Sequence, residues 1–436
     1  MDRATWHPDD LGHFDVVVVG GGPAGLAAAI AAHDEGASVA LIERERRMGG
    51  ILKQCVHDGF GTIEFGTHLT GPEYAQRFLD EFASRNIAAF TRTFVLEASR
   101  TRGFSLTVQR SDGIGTIRSH SLVLATGCRE RSSRQVFIHG QRPAGIYTAG
   151  TAQYLVNIQG LLPCRKCVIL GSGDVGLIMA RRLTLEGAQV LGVYEAKPEP
   201  TGLTRNISQC LNDFSIPLHL SHTVTRVFGG SRVESVEISK VDADMKPIDG
   251  TEQIVDCDAV IVAVGLIPEN ELAEALGARI HPRTRGPEVT QGFETSIDGL
   301  YACGNCVHVH DLVDYVTQTG RIAGRSAAWR SLADGGQSTQ SRPAMNDMVR
   351  IAFSSDFAYT VPQWIDMSNT SGELPVYFRP SHSAERVTIR VTQDGSELAR
   401  RNFAIVRPEQ MELLTVPIEG KSIVQNCPVL LSMARR

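Results

Sequence analysis

The sequence predicts an α/β protein with two doubly wound parallel-sheet domains, one nested in the other, followed by a C-terminal β-rich module. Two segments about 150 residues apart each run from a buried apolar strand through a glycine-rich turn into a helix. After residue 345, alternation of polar and apolar residues replaces the helical periodicity. The 436 residues are enough for two or three domains.

The two glycine-rich turns predict two dinucleotide sites. Residues 20–25 read GGGPAG and residues 171–176 read GSGDVG, and both fit the pattern G-x-G-x-x-G. The first glycine permits a tight turn, the second lets the backbone approach a pyrophosphate, and the third packs the helix on the strand. The diphosphate then lies on free N–H groups at the helix N-terminus. The glycines concerned are Gly20, Gly22, Gly25, Gly171, Gly173 and Gly176.

An acidic residue follows each glycine turn at the spacing expected of a ribose contact. Glu43 ends the second strand of the first unit, and Glu195 ends the corresponding strand of the second. A carboxylate at this place accepts hydrogen bonds from ribose hydroxyls. Because Glu195 would repel a 2′-phosphate, we expect NAD rather than NADP. Two alternatives stay open: Lys197 could tolerate the phosphate, and Glu195 could be a surface acid at a strand end.

The order of these patterns predicts the domain boundaries. From Ala88 to Ile117 the alternation indicates a small antiparallel insertion in the first domain. Residues 331–345 have the composition of a linker. We predict a first nucleotide domain in two parts, a nested second nucleotide domain, a linker and a β-rich module. Their respective boundaries are 14–160 with 257–332, 161–256, 333–345 and 346–436.

Composition excludes several classes of partner and compartment. With a formal net charge of −5 the chain has no broad basic surface, so we do not expect nucleic acid as a partner. The N-terminus lacks the pattern of a signal peptide, and no apolar stretch is long enough to span a membrane. The nine cysteines are scattered and odd in number, unlike a secreted disulfide framework. We therefore expect a cytoplasmic protein with free thiols.

Further segments between residues 14 and 330 resemble those of flavoproteins with two dinucleotide domains. These are a glycine pair at 49–50, the sequence ATG at 125–127 and TSIDGLYACGN at 295–305. In that family the first site holds FAD and the nested site holds NAD(P)H. Where the wider family has an aspartate that bonds the flavin's ribityl–phosphate region, this chain has Asn305, which can hydrogen-bond but carries no charge. The additional residues that the resemblance assigns to cofactor binding are Gly49, Gly50, Thr126, Gly127, Gly265, Gly304, Asn305 and Asp311.

A narrower resemblance points to a role in electron transfer within a complex. The chain is similar to bacterial FAD/NAD oxidoreductases that accompany a glycerol-3-phosphate-dehydrogenase-like flavoprotein and a small cysteine-rich protein. One of the segments concerned, RPAGIYTAGTAQ, also occurs in subunits of opine-, proline- and sarcosine-oxidising complexes, but the β-rich tail fits the first group better. This resemblance implies an oligomer or hetero-complex. Its segments are residues 49–61, 69–74, 142–153, 265–271, 308–314, 361–363 and 406–411.

The region after the glycine pair holds two candidate catalytic residues. Disulfide reductases of this fold carry a redox pair spaced as Gly-Gly-x-Cys-x₄-Cys. Here those two positions are Leu52 and His57, so the pair is absent. His57 is predicted to approach the flavin ring as a donor or proton relay, or else to pack or cap. Cys55 is either a redox thiol or a small buried apolar residue.

Residues 308–314, HVHDLVD, predict the start of a helix over 311–330. The resemblance implies that the N-terminus of this helix faces the flavin's pyrimidine edge, where the helix dipole stabilises negative charge. Asp311 and Asp314 suit a cap and the third helical position. His310 is the candidate for direct contact with the cofactor. We do not interpret this run as metal ligands.

Two cysteine pairs have C-x-x-C spacing, Cys164 with Cys167 and Cys303 with Cys306. An iron–sulfur or zinc site with four cysteines is conceivable. However, one pair precedes the second glycine turn, the other follows a strand of the first domain, and nothing in the sequence brings them together. We therefore predict no metal site.

These observations predict an FAD- and NAD-dependent oxidoreductase that exchanges hydride between its two cofactors and passes electrons to or from a partner protein. One alternative is a component of an amine or imino-acid dehydrogenase of the opine or proline type. An alternative of another class is a scaffold protein whose nucleotides are structural.

Overall fold

The computed structural model describes residues 9–333, 348–368, 372–418 and 423–435. The chain divides into two compact units. The first contains Met1–Leu52, Asp58–Cys128 and Pro268–Arg436, and the second contains Lys53–His57 and Arg129–Ile267. This division follows packing, so the predicted domain boundaries stay predictions. The predicted linker, apart from Ala333, lies outside the described residues.

The first unit is built on a seven-stranded sheet in the order β5-β2-β1-β8-β7-β6, with β20 also paired to β8. Strands β5, β2, β1, β8 and β20 run parallel, which is the doubly wound half, and β8, β7 and β6 form an antiparallel meander. The strands are β1 (Asp9–Val19), β2 (Val39–Ile42), β5 (Ala88–Phe90), β6 (Phe94–Arg100), β7 (Phe104–Arg110), β8 (Gly113–Leu124) and β20 (Leu300–Ala302). The insertion thus begins at Phe94 rather than Ala88, because β5 joins β2 as a parallel strand.

Two helices of this unit pack unusually closely on one another. They are α1 (Pro23–Asp34) and α7 (Val313–Ala333). A Cβ atom added at Gly320 would lie 2.2 Å from the Ala24 carbonyl oxygen, and one at Gly324 would lie 2.1 Å from that of Ala28. Small residues on both helices therefore fix where α7 begins relative to α1. The unit also contains β3 (Asp58–Phe60), β4 (Leu69–Thr70), α2 (Gly71–Ala83) and α6 (Glu271–Ala275).

The second unit repeats the doubly wound arrangement in five parallel strands, ordered β11-β18-β12-β13-β14. They are β11 (Ile146–Thr148), β12 (Lys166–Leu170), β13 (Gln189–Glu195), β14 (Leu218–Leu220) and β18 (Ala259–Val262). A four-stranded sheet of β10 (His139–Gly140), β15 (His222–Phe228), β16 (Ser235–Lys240) and β17 (Gln253–Asp256) completes it. Its helices are α3 (Ala149–Asn157), α4 (Asp174–Leu185) and α5 (Thr204–Cys210). The chain passes between the units after Leu52, after His57, within β9 (Cys128–Glu130) and within β19 (Leu266–Pro268).

The C-terminal region is β-rich, as predicted, and forms two sheets around a separate apolar core. The first has the order β23-β21-β28-β25-β26 and the second the order β22-β24-β27. The strands are β21 (Met348–Phe353), β22 (Phe357–Val361), β23 (Trp364–Asp366), β24 (Glu373–Pro380), β25 (Ala384–Gln393), β26 (Ser396–Val406), β27 (Glu412–Pro417) and β28 (Val429–Arg435). No helix among the described residues has the length and apolarity needed to cross a membrane.

The α1–α7 contact gives a first testable prediction. Alanine has a higher helix propensity than glycine by about 1 kcal/mol. Even so, we expect Gly324→Ala to lower the free energy of unfolding by about 1–3 kcal/mol, because its Cβ would overlap the Ala28 carbonyl oxygen. Urea denaturation measures this change. Arg325→Ala, on the half-exposed face of the same helix, is the control and should change the value by less than about 0.5 kcal/mol. A more stable Gly324→Ala protein would contradict the packing argument.

Candidate functional site

Both glycine turns bend under a carbonyl oxygen of the neighbouring strand. Gly20 has φ +107° and Gly171 has φ +102°, a conformation that favours glycine. A Cβ atom at Gly20 would lie 2.3 Å from the carbonyl oxygen of Ala125, and one at Gly171 would lie 2.2 Å from that of Ala263. The two turns therefore have the same cause, although they lie in different units.

In each motif the third glycine is crowded by neighbouring atoms, whereas the second glycine borders open space. A Cβ atom at Gly25 would lie 1.7 Å from the Gly20 carbonyl oxygen, and one at Gly176 would lie 2.5 Å from that of Gly171. At Gly22 and Gly173, in contrast, the nearest heavy atom would be 3.8 Å away. Helix and strand are thus in contact at the third glycine, while the space in front of the second stays open. This is the arrangement that a dinucleotide diphosphate requires.

The helices after these turns begin without a side-chain cap. Gly22 is the N-cap of α1 and Gly173 is the N-cap of α4, and neither provides a side-chain hydrogen bond. Helix α2, in contrast, begins with a capping box formed by Thr70 and Glu73. The first N–H groups of a helix have no intrahelical partner, so α1 and α4 keep donors available for an anion. The residues present therefore fit the diphosphates of FAD and NAD.

Each of the two strand-end acids is oriented by two backbone N–H groups at equivalent positions of its unit. Glu43 accepts hydrogen bonds from the N–H groups of Gly21 at 2.8 Å and Glu45 at 2.7 Å. Glu195 accepts them from the N–H groups of Ser172 and Lys197, each at 3.0 Å. Both carboxylates are buried. Each acid is thus fixed beside its glycine turn, where a ribose contact is expected. We propose Glu43 and Glu195 as the ribose-binding residues.

Other predicted FAD contacts converge on the first turn. The N–H of Gly49 donates to the Gly21 carbonyl oxygen at 2.7 Å, and a Cβ at Gly50 would lie 2.9 Å from Gly22 Cα. Gly304 lies against α1, since its Cβ would be 2.8 Å from that of Ala24. These contacts bring three chain segments to the open space at Gly22.

The strand end at 125–127 borders the same turn. The Thr126 hydroxyl donates to the Glu269 carbonyl oxygen at 2.7 Å. The Thr126 backbone nitrogen lies beside the first glycine turn, 3.5 Å from where a Cβ atom at Gly20 would be. In the second unit, the Gly265 carbonyl accepts a hydrogen bond from the Arg131 N–H at 3.1 Å. A Cβ at Gly127 or at Gly265 would meet no heavy atom within 4 Å. Both glycines therefore border open space.

Asn305 has a fixed orientation, set by His310. Its Oδ1 accepts the His310 N–H at 3.0 Å and lies 3.2 Å from His310 Nδ1, while its Nδ2 donates to Cys128 Sγ at 3.6 Å. Burial lowers the pKa of His310 to about 3, so this imidazole is neutral. Its ring stacks obliquely on His308, with 3.9 Å between the centroids. In the described part of the chain, Nε2 of His310 and both ring nitrogens of His308 have no hydrogen-bond partner.

The helix start differs from the prediction in one respect. Helix α7 begins at Val313, and Asp311 does not cap it. Its carboxylate instead accepts hydrogen bonds from Arg379 and from the Met411 N–H. Asp314 does lie in the first turn, where its carboxylate accepts the Glu64 N–H at 2.8 Å. The cap prediction was wrong because sequence spacing cannot reveal a competing cation from a distant strand.

Cys55 and His57 lie in the second unit, on a short segment held by α3. Gln54 donates to the Gly150 carbonyl and to Gln153, and Cys55 Sγ lies 3.8 Å from Gln153 Oε1. Burial raises the pKa of the Cys55 thiol to about 12, so it is protonated at neutral pH and a poor nucleophile. Cys55 is half-buried, and both interpretations of it stay predictions. His57 is half-buried.

The two C-x-x-C pairs lie in different units, and none of the described cysteines forms a disulfide. Cys303 and Cys306 are fully buried, and burial raises the pKa of both thiols. A hydrogen bond between the thiols lowers the pKa of Cys164 and raises that of Cys167. Among the described residues, no three His, Cys, Asp or Glu side chains converge in a way that could hold a metal ion.

The residues of the C-terminal module that surround the loop before α7 carry no signal in the sequence that marks them as functional. Tyr377 packs against both histidines of that loop at 5.7 Å, and Arg379 binds Asp311. The alternation in β24 does place residues 377 and 379 on one face of the strand. Nothing in the sequence, however, indicates which element that face covers.

Substitution of the second glycines tests both sites. An aspartate at Gly173 has space and a suitable N-cap conformation, with φ −66° and ψ 161°. Its carboxylate would, however, accept hydrogen bonds from the N–H groups at the start of α4 that are expected to bind the diphosphate. We expect Gly173→Asp to fold normally and to bind NADH at least about 100-fold more weakly, with FAD binding retained.

Gly22→Asp is the matched variant and should lose FAD instead. Equilibrium dialysis against each nucleotide, together with the thermal midpoint of each apoprotein, measures both outcomes. If Gly173→Asp binds NADH as the unmodified protein does, the second site is misassigned.

Both glycine turns lie within a region that matches a known protein family. Residues 14–330 match the family described as pyridine nucleotide-disulphide oxidoreductase. An opine oxidase subunit of Agrobacterium tumefaciens (strain Ach5) is 26% identical over 347 residues, which cover 74% of this chain and 67% of that protein. Hydrogen cyanide synthase subunit HcnB of Pseudomonas protegens is 27% identical over 283 residues, 60% of this chain and 58% of the length of HcnB.

A solved structure of another protein has a similar fold. The crystal structure of T. acidophilum thioredoxin reductase superposes with a TM-score of 0.59 at 23% identity, covering 73% of this chain and 99% of that one. This similarity concerns the fold. The family match over residues 14–330 contains both glycine turns. The chain therefore belongs to the pyridine nucleotide-disulphide oxidoreductase family and is an FAD- and NAD(P)H-dependent oxidoreductase.

Proposed function

We propose that this protein exchanges hydride between NAD(H) and FAD and passes electrons to or from a partner protein. The observation that carries the proposal is that one dinucleotide cradle is repeated in two units. Each cradle consists of a glycine turn of the same geometry, the uncapped helix that follows it and a buried acid. When bound, FAD and NAD supply the hydride chemistry themselves. The chain supplies binding and orientation, which lower the entropic part of the barrier.

We propose that NAD is preferred over NADP. Glu195 is buried and held by two backbone N–H groups and by the Ser172 hydroxyl at 2.7 Å. A carboxylate fixed in this way accepts hydrogen bonds from free ribose hydroxyls and repels a 2′-phosphate. Lys197 is exposed, and its backbone N–H serves to orient Glu195.

The electrons leave by a route other than an internal disulfide, because Leu52 and His57 occupy the two positions of the family's redox pair. A partner protein is the simplest acceptor or donor. Two of the relatives are named as subunits, of an opine oxidase and of a hydrogen cyanide synthase. We propose a hetero-complex, with a glycerol-3-phosphate-dehydrogenase-like flavoprotein as the partner and a small cysteine-rich protein as a further component. The free thiols fit a reducing compartment such as the cytoplasm.

Two histidines have proposed roles near the cofactors. We propose that His310, neutral and bonded to Asn305, orients that amide toward the FAD site. We propose His57 as the proton relay, with packing as the alternative. Gly49, Gly50, Thr126, Gly127, Gly304 and Asn305 would line the FAD site, and Gly265 would line the NAD site.

A second candidate function is that of a component of an amine or imino-acid dehydrogenase, favoured by the similarity to the opine oxidase protein of Agrobacterium tumefaciens.

Reconstitution with the proposed partner distinguishes the two candidate functions. The purified protein is mixed anaerobically with the glycerol-3-phosphate-dehydrogenase-like flavoprotein and NADH, and reduction of the partner's flavin is followed. Our proposal predicts NADH-dependent reduction of the partner. Reduction of this protein's own flavin by an opine or proline, without NADH, would favour the second candidate.

Coenzyme preference gives a further prediction. We expect Glu195→Gln to raise the ratio of kcat/KM for NADPH to that for NADH about tenfold, because the variant removes the charge that repels a 2′-phosphate. The ratio is measured in steady state with an artificial dye as electron acceptor. Glu199→Gln, at an exposed position four residues later, is the control and should leave the ratio unchanged. An unaltered ratio in Glu195→Gln would show that Glu195 does not select the coenzyme.

A further inference from the structure

The loop that leads into α7 is bound by the C-terminal module through an ion pair between a largely buried arginine and an aspartate whose side chain is 33% exposed. Arg379 on β24 donates from Nη2 to both carboxylate oxygens of Asp311, at 2.9 and 3.1 Å. The Met411 N–H, just before β27, donates to Asp311 Oδ2 at 2.6 Å. Asp311 is therefore held by two separate segments of the module, although it lies two residues before α7.

Arg379 is itself fixed by two further bonds. Its Nε donates to the Tyr359 hydroxyl at 3.1 Å and its Nη1 to the Pro408 carbonyl at 3.0 Å. Only 18% of its side chain is exposed. Burial alone would lower the pKa of Arg379, but Asp311 and Tyr359 raise it above its ordinary value, so the guanidinium stays charged. A guanidinium with donors on three partners has little freedom to move.

The C-terminal module also contacts the loop before α7 through aromatic side chains. Tyr377 is fully buried and donates from its hydroxyl to Gln318 Oε1 on α7 at 3.0 Å. Its ring lies 5.7 Å from the rings of His308 and His310, and Tyr359 is equally close to His308. The module thus contacts both the loop and the first turns of α7, within one compact unit.

The ion pair changes the electrostatics at the start of α7. An unpaired aspartate next to a helix N-terminus turns its carboxylate to the first N–H groups and cancels the positive end of the dipole. Here Arg379 and the Met411 N–H take both carboxylate oxygens, and Arg379 neutralises the charge. Asp311 therefore adds no unpaired negative charge at the N-terminus of α7, where the carboxylate of Asp314 already lies in the first turn and accepts the Glu64 N–H.

We propose that Arg379 is a positioning residue of the FAD site, which makes the C-terminal module part of that site. It holds Asp311 away from the N-terminus of α7, so that this terminus can stabilise negative charge on the cofactor. The inference rests on the assignment of FAD to the first glycine turn. It extends that site to residues beyond the region that matches the family, 14–330.

The test uses three variants of the full chain. In Arg379→Gln the Asp311 charge is left unpaired, so we expect FAD to dissociate about tenfold more readily and the potential of the bound flavin to fall. In the double variant Arg379→Gln with Asp311→Asn, the charge is gone and both quantities should return to within about threefold of the unmodified protein. Asp311→Asn alone leaves Arg379 unopposed, so the potential should rise.

Fluorescence titration of the apoprotein gives the FAD dissociation constant, and a dye-coupled redox titration gives the potential. Arg85→Gln is the matched control, because Arg85 also makes two bonds to an aspartate, Asp34, in the same unit but at the other end of α1. It should alter neither quantity. If Arg379→Gln does not fold, the rise in potential of Asp311→Asn remains as the test.

Two results would overturn the proposal. One is an unchanged dissociation constant and potential in Arg379→Gln. The other is equal loss of FAD affinity and thermal stability in the single Arg379→Gln and the double variant, which would indicate a purely structural contact. Neither result would affect the proposed function, which fails instead if the unmodified protein binds FAD but NADH does not reduce it.

Discussion

At Gly20 and again at Gly171, a carbonyl oxygen of the neighbouring strand occupies the space where a side chain would be. Three other features of each site depend on this contact. Because the chain can turn there, the helix begins directly behind the strand, its first N–H groups face open space, and the strand-end acid comes within reach of the turn. An added methyl group would push the strand away and displace all three features.

The same steric rule fixes helix α7. Gly320 and Gly324 let it approach α1 until its backbone touches that of α1, and α1 carries the first dinucleotide cradle. The start of α7 is therefore in register with the cradle before any cofactor binds. The C-terminal module then adds a second restraint at the loop before α7, through Arg379 and Tyr377. The N-terminus of α7 is thus positioned both by the contact of its glycines with α1 and by the ion pair of the C-terminal module with the preceding loop.

Much of this could be predicted from local sequence, because the relevant constraints are local. The glycine spacing predicts the turns, and the position of Glu43 and Glu195 at strand ends predicts their place beside those turns. Asp311 shows where local prediction fails. Its spacing suits a helix cap, but its carboxylate accepts hydrogen bonds from a guanidinium 68 residues later in the chain. Likewise, the predicted antiparallel insertion includes Ala88–Phe90, which pair in parallel with β2, because periodicity does not show with which strand a segment pairs.

The central claim is that one chain holds two dinucleotides so that hydride passes between them. Anaerobic titration of the purified FAD-loaded protein with NADH, followed by flavin absorbance, tests it most directly. We expect complete loss of the oxidised flavin band with about one NADH per flavin. A flavin that stays oxidised in excess NADH, yet is reduced by an amine or imino acid, would contradict the claim and assign the second cradle a structural role.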